Sequence, residues 1–186
     1  MTRPMASVRL PVIACALLWA AWAGAPAYGA DPAPSEYALK AAFIYNFAKF
    51  TEWPPVPGEG AREPIVLCAF AGEPYDAALA SIDGKSVQGR TLRVRRGLRP
   101  IEIKSCHVAF IAASEQRRIP ELLRAAAKAP VLTVGDSDGF AEGGGMIGLI
   151  NADNRVQFEI NNDAAQRANL KIGSQLLRLA RLVKER

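Results

Sequence analysis

Histidine, cysteine and long apolar stretches are scarce in this chain, and each scarcity removes a class of function. The 186 residues include one histidine, His107, and three cysteines. A lone histidine and the absence of a C-x-x-C pair exclude a zinc cluster and a thioredoxin-like redox site. The net charge of +5 is too small to indicate nucleic-acid binding. Beyond residue 30 the apolar runs are too short to cross a bilayer, which excludes a multi-pass membrane protein.

The one long apolar stretch lies at the N-terminus and is typical of a secretory signal peptide. A short basic start is followed by the apolar residues 10–23 and then by small residues as far as Ala30. Cleavage after Ala27 or after Ala30 fits this pattern. The sequence therefore predicts that residues 1–30 direct export and are removed, and that residues 31–186 form a single domain.

Two cysteines remain after that cleavage, Cys68 and Cys106. In an oxidising compartment an even pair is most simply interpreted as a disulfide bond. In the chain-entropy model, closing a loop of about 39 residues stabilises the fold by roughly 4 kcal/mol. The alternative is a pair of buried thiols that pack as small apolar side chains on separate strands.

Apolar periodicity predicts alternating helices and strands. Ser35 is placed to cap a helix that begins at Glu36 and stops at the Trp53-Pro54-Pro55 sequence. Arg90–Arg96 alternates apolar and charged residues, which predicts an edge strand with one wet side. Continuous apolar runs predict three further strands, buried on both faces, at 65–70, 107–111 and 131–134. Further helices are predicted over 75–82, from Ser114 to Lys128, over 163–168 and from Ser174 onward.

Near the C-terminus, residues 146–150 and 156–160 flank a polar turn and predict a β-hairpin. Strands separated by helices need crossover connections, which place parallel strands side by side. The sequence therefore predicts an α/β fold, with a mostly parallel sheet flanked by helices on both faces and an antiparallel hairpin near the C-terminus.

The catalytic candidates are weak. Gly143–Gly148 satisfies the G-x-G-x-x-G pattern, but the glycines precede an apolar strand, whereas a dinucleotide site needs them between a strand and a helix. His107 has no G-x-S-x-G serine to activate, so we interpret it as structural and the glycine segment as a flexible loop. The acidic residues Asp136, Asp138 and Glu142 fit turns. We predict no catalytic residue, no cofactor and no metal site.

Five arginines between Arg90 and Arg99 form the densest charge cluster. One interpretation is a solvated edge strand, kept by its charges from pairing with other chains. The other is a partner-binding surface, because arginine is favoured at interfaces. On the second interpretation the candidate partner-binding residues are Arg90, Arg93 and Arg95.

Two sequence blocks carry a resemblance to a known family. The first runs from Ala41 to Pro54, and the second is distributed over residues 158–180. Together with Val131–Gly135 and the glycines before Met146, they resemble the YfiR family of small exported bacterial proteins over about residues 37–183. The second block comprises Phe158–Asn161, Asp163–Ala165, Leu170–Ile172 and Leu176–Ala180.

The resemblance implies a periplasmic regulator with no catalytic activity. Proteins of this family repress an inner-membrane diguanylate cyclase by binding its periplasmic sensing region, and release of that contact raises cyclic-di-GMP and favours biofilm formation. It implies a homodimer that neither binds nucleic acid nor inserts into the membrane after signal cleavage. Cys68 and Cys106 match a cysteine pair of the family. A second pair found in some relatives is replaced here by Ala141 and Gly148.

Two other functions remain open. A periplasmic small-ligand binding protein could hold a solute at the sheet edge or at the loop after Gly135, and an exported hydrolase is disfavoured by its single histidine. For the regulator, we expect an exposed apolar patch with an arginine rim to make the contact, and the aromatic residues of the first helix are the candidates for that patch.

Overall fold

The computed structural model describes residues 35–55, 63–152 and 155–186, so the predicted signal peptide lies outside the described residues. The α-helices are α1 (Glu36–Lys49), α2 (Tyr75–Ala80), α3 (Ile119–Ala126), α4 (Asn162–Arg167) and α5 (Ser174–Leu179), and 3₁₀ helices span Pro100–Ser105 and Ala113–Arg118. The strands are β1 (Thr51–Glu52), β2 (Ile65–Phe70), β3 (Ser86–Val87), β4 (Arg90–Arg95), β5 (Val108–Ile111), β6 (Leu132–Gly135), β7 (Ile147–Ala152), β8 (Arg155–Ile160), β9 (Lys171–Ile172) and β10 (Arg181–Leu182).

Eight strands form one mixed sheet in the order β10-β8-β7-β6-β5-β2-β4-β3. The central run from β7 to β4 is parallel throughout. β8 pairs antiparallel with β7, which confirms the predicted hairpin, and the outer strands β3 and β10 are two residues long. The predicted α/β class is confirmed. The chain adds β4 on one side of β2 and then crosses to add β5 on the other side, so β2 is the strand at which the order of addition changes side.

Helices cover both faces of this sheet, as predicted. On the front face, α1 buries Ala41, Ile44 and Phe47 in one core with Leu67 and Phe110 of the sheet. On the back face, α3 and the Pro100–Ser105 helix share a second core with the other side of the same strands. Strand residues of opposite parity supply the two cores, since successive side chains in a strand point to opposite faces. The back core contains Cys68, Phe70, Ile103, Ala109, Ile111, Leu122 and Ala126.

The first helix begins as predicted and ends early. The Ser35 hydroxyl accepts a hydrogen bond from the Ala38 N–H, which caps α1. The helix ends at Lys49, before the Trp-Pro-Pro sequence, because Thr51 and Glu52 pair antiparallel with β9. This two-stranded ladder brings the two family-like sequence blocks into contact, with 2.7 Å between the Gly173 nitrogen and the Phe50 oxygen.

Three other expectations need correction. β4 is not the edge strand, because Ser86 and Val87 fold back on it through a turn in which Gln88 and Gly89 have positive φ. Ser114 does not begin an α-helix: it lies in the 3₁₀ helix Ala113–Arg118, and α3 begins at Ile119. The last helix has no side-chain cap, and it ends at Leu179 because the chain extends to join the sheet as β10.

Candidate functional site

Arg93 and Arg95 lie on the back face at one side of the sheet. They are the register neighbours of Val66 and Cys68, so their side chains share the face that carries the disulfide and the Pro100–Ser105 helix. Both are well exposed, at 59% and 45% of the side chain. Arg95 approaches Glu102 at 3.6 Å, and Arg93 is 3.9 Å from Asp83. Long, exposed ion pairs of this kind leave the guanidinium groups accessible to a partner.

Arg90 is separated from the other two candidates by the sheet. Arg90 lies two residues before Leu92, whose side chain is in the front-face core, and residues two apart in a strand share a face. Arg90 therefore faces the front, where it is only partly exposed. Its guanidinium donates to the carbonyl oxygens of Glu63 and Pro64, and its Nη2 lies 3.2 Å from Nε2 of His107. The three arginines therefore do not form one surface.

His107 lies among structural contacts, as predicted. Its Nδ1 accepts a hydrogen bond of 3.1 Å from the Val66 N–H. The Trp53 indole donates to the His107 carbonyl at 3.0 Å, and the two rings meet edge to face. These bonds join β1, β2 and β5 at the edge where the parallel strands begin.

The disulfide is present between Cys68 and Cys106, as predicted. It joins the middle of β2 to the residue that follows the Pro100–Ser105 helix, and both cysteines are buried in the back-face core. The bridge thus fixes that helix beside Arg93 and Arg95. The same helix supplies Glu102, which also accepts hydrogen bonds from the Arg99 backbone and side chain.

A buried polar network lies at the opposite edge, where the parallel strands end, and no local sequence pattern predicts it. Asp136, directly after β6, accepts a hydrogen bond of 3.0 Å from Lys40 of α1, another from the Tyr75 hydroxyl, and one of 2.6 Å from the Ala113 N–H. Lys40 also pairs with Glu36 at 2.7 Å. In doubly wound sheets this edge is the usual ligand position. Here Lys40 of α1 already forms an ion pair with the Asp136 carboxylate at that position.

Burial and charge shift the proton affinities of this network. Burial lowers the pKa of Lys40, but the hydrogen bonds and negative charges of Glu36 and Asp136 outweigh it, so the pKa lies above its ordinary value. Burial, reinforced by the Asp136 carboxylate, raises the pKa of Tyr75 strongly. The ammonium form of Lys40 and the neutral phenol of Tyr75 are therefore the forms that the fold stabilises.

Tyr75 gives a prediction for alkaline pH. A phenol whose pKa is raised by folding ionises first in the unfolded chain, so the free energy of unfolding falls as pH rises above about 10, the ordinary value for tyrosine. Tyr75→Phe removes this contribution. Urea unfolding at pH 8 and at pH 10.5 should show a smaller loss of stability with pH in the variant than in the parent chain. An equal loss in both would contradict the assignment.

The glycine-rich segment is packed against an aromatic ring and is not a flexible loop. Phe140 is buried, and its ring lies so close to Gly135 and Gly145 that a Cβ at either position would overlap it. Gly144 has φ +98°, a conformation that other residues rarely adopt. Gly135 and Gly145 therefore allow close packing on the back face, and this packing accounts for glycine at Gly145 within the G-x-G-x-x-G pattern.

Phe43 and Phe47, two of the aromatic residues of α1, do not form an exposed patch. Phe43 and Phe47 turn inward and stack near Phe158 of β8, with ring centroids 5.7 and 5.1 Å apart. Phe47 is fully buried. Phe43 and Phe47 therefore supply no exposed apolar surface, whereas Tyr37 and Leu39 near the start of α1 are 36% and 37% exposed.

Comparison with known proteins decides the family. The sequence pattern described as YfiR/HmsC-like matches residues 37–181. The chain belongs to the YfiR/HmsC-like family. This family is regulatory rather than catalytic and is periplasmic, which supports, at family level, a role in regulating a diguanylate cyclase. No curated protein matches the chain.

Solved structures share the fold of this YfiR/HmsC-like chain at low sequence identity. An ABC domain in complex with L-Trp from Streptococcus pneumonia is 11% identical, with a TM-score of 0.51 over 77% of this chain and 60% of that one. A conserved domain protein from Vibrio cholerae O1 biovar eltor is 13% identical, with a TM-score of 0.51 over 81% of this chain and 60% of that one. The chain thus spans about three fifths of either structure, and the likeness concerns the fold alone.

Neither a membrane-spanning helix nor a metal-binding cluster is found in the described residues of this YfiR/HmsC-like chain. In the described part of the chain, none of the helices combines the length and apolar character needed to span a bilayer. Within residues 35–55, 63–152 and 155–186, no three histidine, cysteine or acidic side chains converge in the manner of a metal site.

Proposed function

We propose that this protein is a periplasmic repressor that binds the periplasmic sensing region of an inner-membrane diguanylate cyclase and lowers cyclic-di-GMP signalling. Family membership over residues 37–181 is the observation that carries the proposal. Repression needs only differential binding, since a few kcal/mol of preference for one conformation of the sensor shifts its population. We further propose that the protein acts as a homodimer after removal of residues 1–30.

The contact is proposed to include Arg93 and Arg95, which stand exposed beside the disulfide-braced helix. Side chains, rather than an added strand, would make this contact. The outer edge of β4 is already engaged, because Asp83 Oδ1 accepts a hydrogen bond from the Val94 N–H at 2.9 Å and Leu92 pairs with Lys85. Arg90 is proposed to act indirectly, by holding the Glu63–Pro64 segment and His107 in place.

Small-ligand binding at the loop after Gly135 is less well supported. Asp136, the polar group at that position, already binds Lys40, Tyr75 and the Ala113 N–H. A solute there would have to displace a buried ion pair, which is costly unless the solute replaces every bond.

The proposal is tested by recovering the partner and measuring its affinity. The tagged chain is purified from periplasm and membranes after chemical cross-linking, and the periplasmic region of any recovered cyclase is then produced for titration. Arg93→Ala with Arg95→Ala should weaken that complex about ten-fold, because two exposed cations at an interface are lost. The matched control removes two exposed cations elsewhere, Arg117→Ala with Lys171→Ala. Recovery of a bound metabolite and no cyclase would contradict the function.

A further inference from the structure

A groove of about 810 Å³ runs between α3 and α4, next to the back face of β6. One wall is formed by α3 and the residue that follows it, with lining side chains four positions apart at Ile119, Leu123 and Ala127. The other wall is formed by Ala164 of α4 and by Ala168, directly after α4. The span from Ile119 to Ala127 corresponds to about 12 Å of helix, or two turns. The groove is therefore long enough to receive two turns of a partner helix.

The buried side-chain polar atoms of the groove are already satisfied. Thr133 is buried in the lining, and its hydroxyl accepts a hydrogen bond of 3.1 Å from the Met146 N–H. Among the described residues no buried side-chain nitrogen or oxygen lacks a partner. A sugar would find few unpaired side-chain groups in the buried part of the lining to orient it, whereas an apolar side chain would leave no hydrogen bond unmade there.

The rim of the groove is basic. Arg124, Lys128 and Arg167 line it, and Glu185 is the one acidic residue among its described lining residues. Glu185 is paired with Arg167, so Arg124 and Lys128 face the groove mouth without an acidic neighbour in the lining. Charge complementarity favours an occupant whose apolar face is bordered by carboxylates.

The groove also continues the surface that was assigned to the partner. α3 packs against the Pro100–Ser105 helix on the back face, and that helix lies beside Arg93 and Arg95. A partner covering a standard interface of about 800 Å² on this protein would reach both the arginines and the groove. The groove would then supply an apolar anchor beside the two arginines.

We infer that this groove binds an amphipathic helix, with an apolar face bordered by acidic residues, from the periplasmic region of the cyclase. This rests on the proposed function and specifies where and by what chemistry the partner is held. The mode is a helix in a groove: apolar side chains enter between α3 and α4, and carboxylates meet Arg124 and Lys128.

The test places a photo-reactive benzoylphenylalanine at Ala127, an exposed position in the groove wall, in the full chain expressed in the source bacterium. The control carries the same residue at Ala80, which is exposed on α2 of the front face. We expect cross-linking of a cyclase from Ala127 and not from Ala80, with the attached peptide acidic and helical in pattern. Cyclase captured by a third probe at Arg93 but not at Ala127 would overturn the groove and leave the function standing. No cyclase from any position would overturn the function itself.

Affinity measurements complete the test with the purified periplasmic region of the captured cyclase. Arg124→Glu with Lys128→Glu should weaken binding at least thirty-fold, and Ala127→Phe, which fills the groove, should do the same without altering charge. Arg117→Glu with Lys171→Glu changes the net charge equally outside the groove and should leave the affinity within about three-fold. Equal effects of the two charge-reversed pairs would show that only overall charge matters and would overturn the inference.

Discussion

Replacing both Cys68 and Cys106 with alanine should lower the free energy of unfolding by about 4 kcal/mol, since the bridge joins cysteines that are 38 positions apart in the sequence. The free energy of unfolding of a typical domain is about 5–15 kcal/mol in total, so the double variant should be only marginally stable. The bridge also holds the Pro100–Ser105 helix against β2, so part of the back-face core should loosen with it. Urea unfolding of the chain beginning at residue 31 measures the loss.

Reduction provides the control for the cysteine variants. Dithiothreitol opens the bridge in the parent chain and leaves both sulfur atoms in the core, so it separates the cross-link from the packing. The reduced parent and the double-alanine variant should unfold at similar urea concentrations, well below the oxidised parent. A reduced parent as stable as the oxidised protein would contradict the prediction.

The parallel sheet could be predicted because its strands are buried on both faces. Ile65–Phe70, Val108–Ile111 and Leu132–Gly135 are mostly apolar and are buried at all but one position, and burial is the property that such a run encodes. The short strands β1, β3, β9 and β10 could not be predicted. Each is two residues long and exists only because a distant segment pairs with it, which no local pattern expresses.

The candidate site was only partly predictable, for the same reason. Alternation along the strand places Arg93 and Arg95 on one face of the sheet and Arg90 on the other. The separation of Arg90 from the other two arginines could therefore be predicted from the sequence. Lys40 carried no such signal. A lysine in the middle of an amphipathic helix normally faces solvent, and its burial depends on Asp136, which is ninety-six residues away in the chain.

The basic groove and the two arginines beside the disulfide should affect different rates of partner binding. Exposed arginines at the edge of an interface mainly affect the association rate and the salt dependence, whereas a filled apolar groove mainly affects dissociation. A partner that uses both would bind quickly and dissociate slowly, as the proposed repression requires.

Asp136→Asn should destabilise the fold by about 3 kcal/mol, because it leaves the buried ammonium of Lys40 without its buried counter-charge. Lys40 and Asp136 each expose only 7% of the side chain, so water cannot replace the lost carboxylate. Glu36 remains as a second partner at 2.7 Å, but it is half-exposed and compensates only in part. An asparagine oxygen can still accept one of the bonds from Tyr75 or Ala113. The midpoint of urea unfolding should fall with no change in its slope.

A double-mutant cycle separates the ion pair from the rest of the network. Lys40→Met removes the cation while keeping much of the aliphatic length, so the combined Lys40→Met, Asp136→Asn chain buries no unpaired charge. Its loss of stability should be smaller than the sum of the two single losses by about 2 kcal/mol, the coupling expected of side chains in direct contact. Strictly additive losses would mean that Lys40 and Asp136 do not interact, and that α1 is held to the ends of the parallel strands by apolar packing alone.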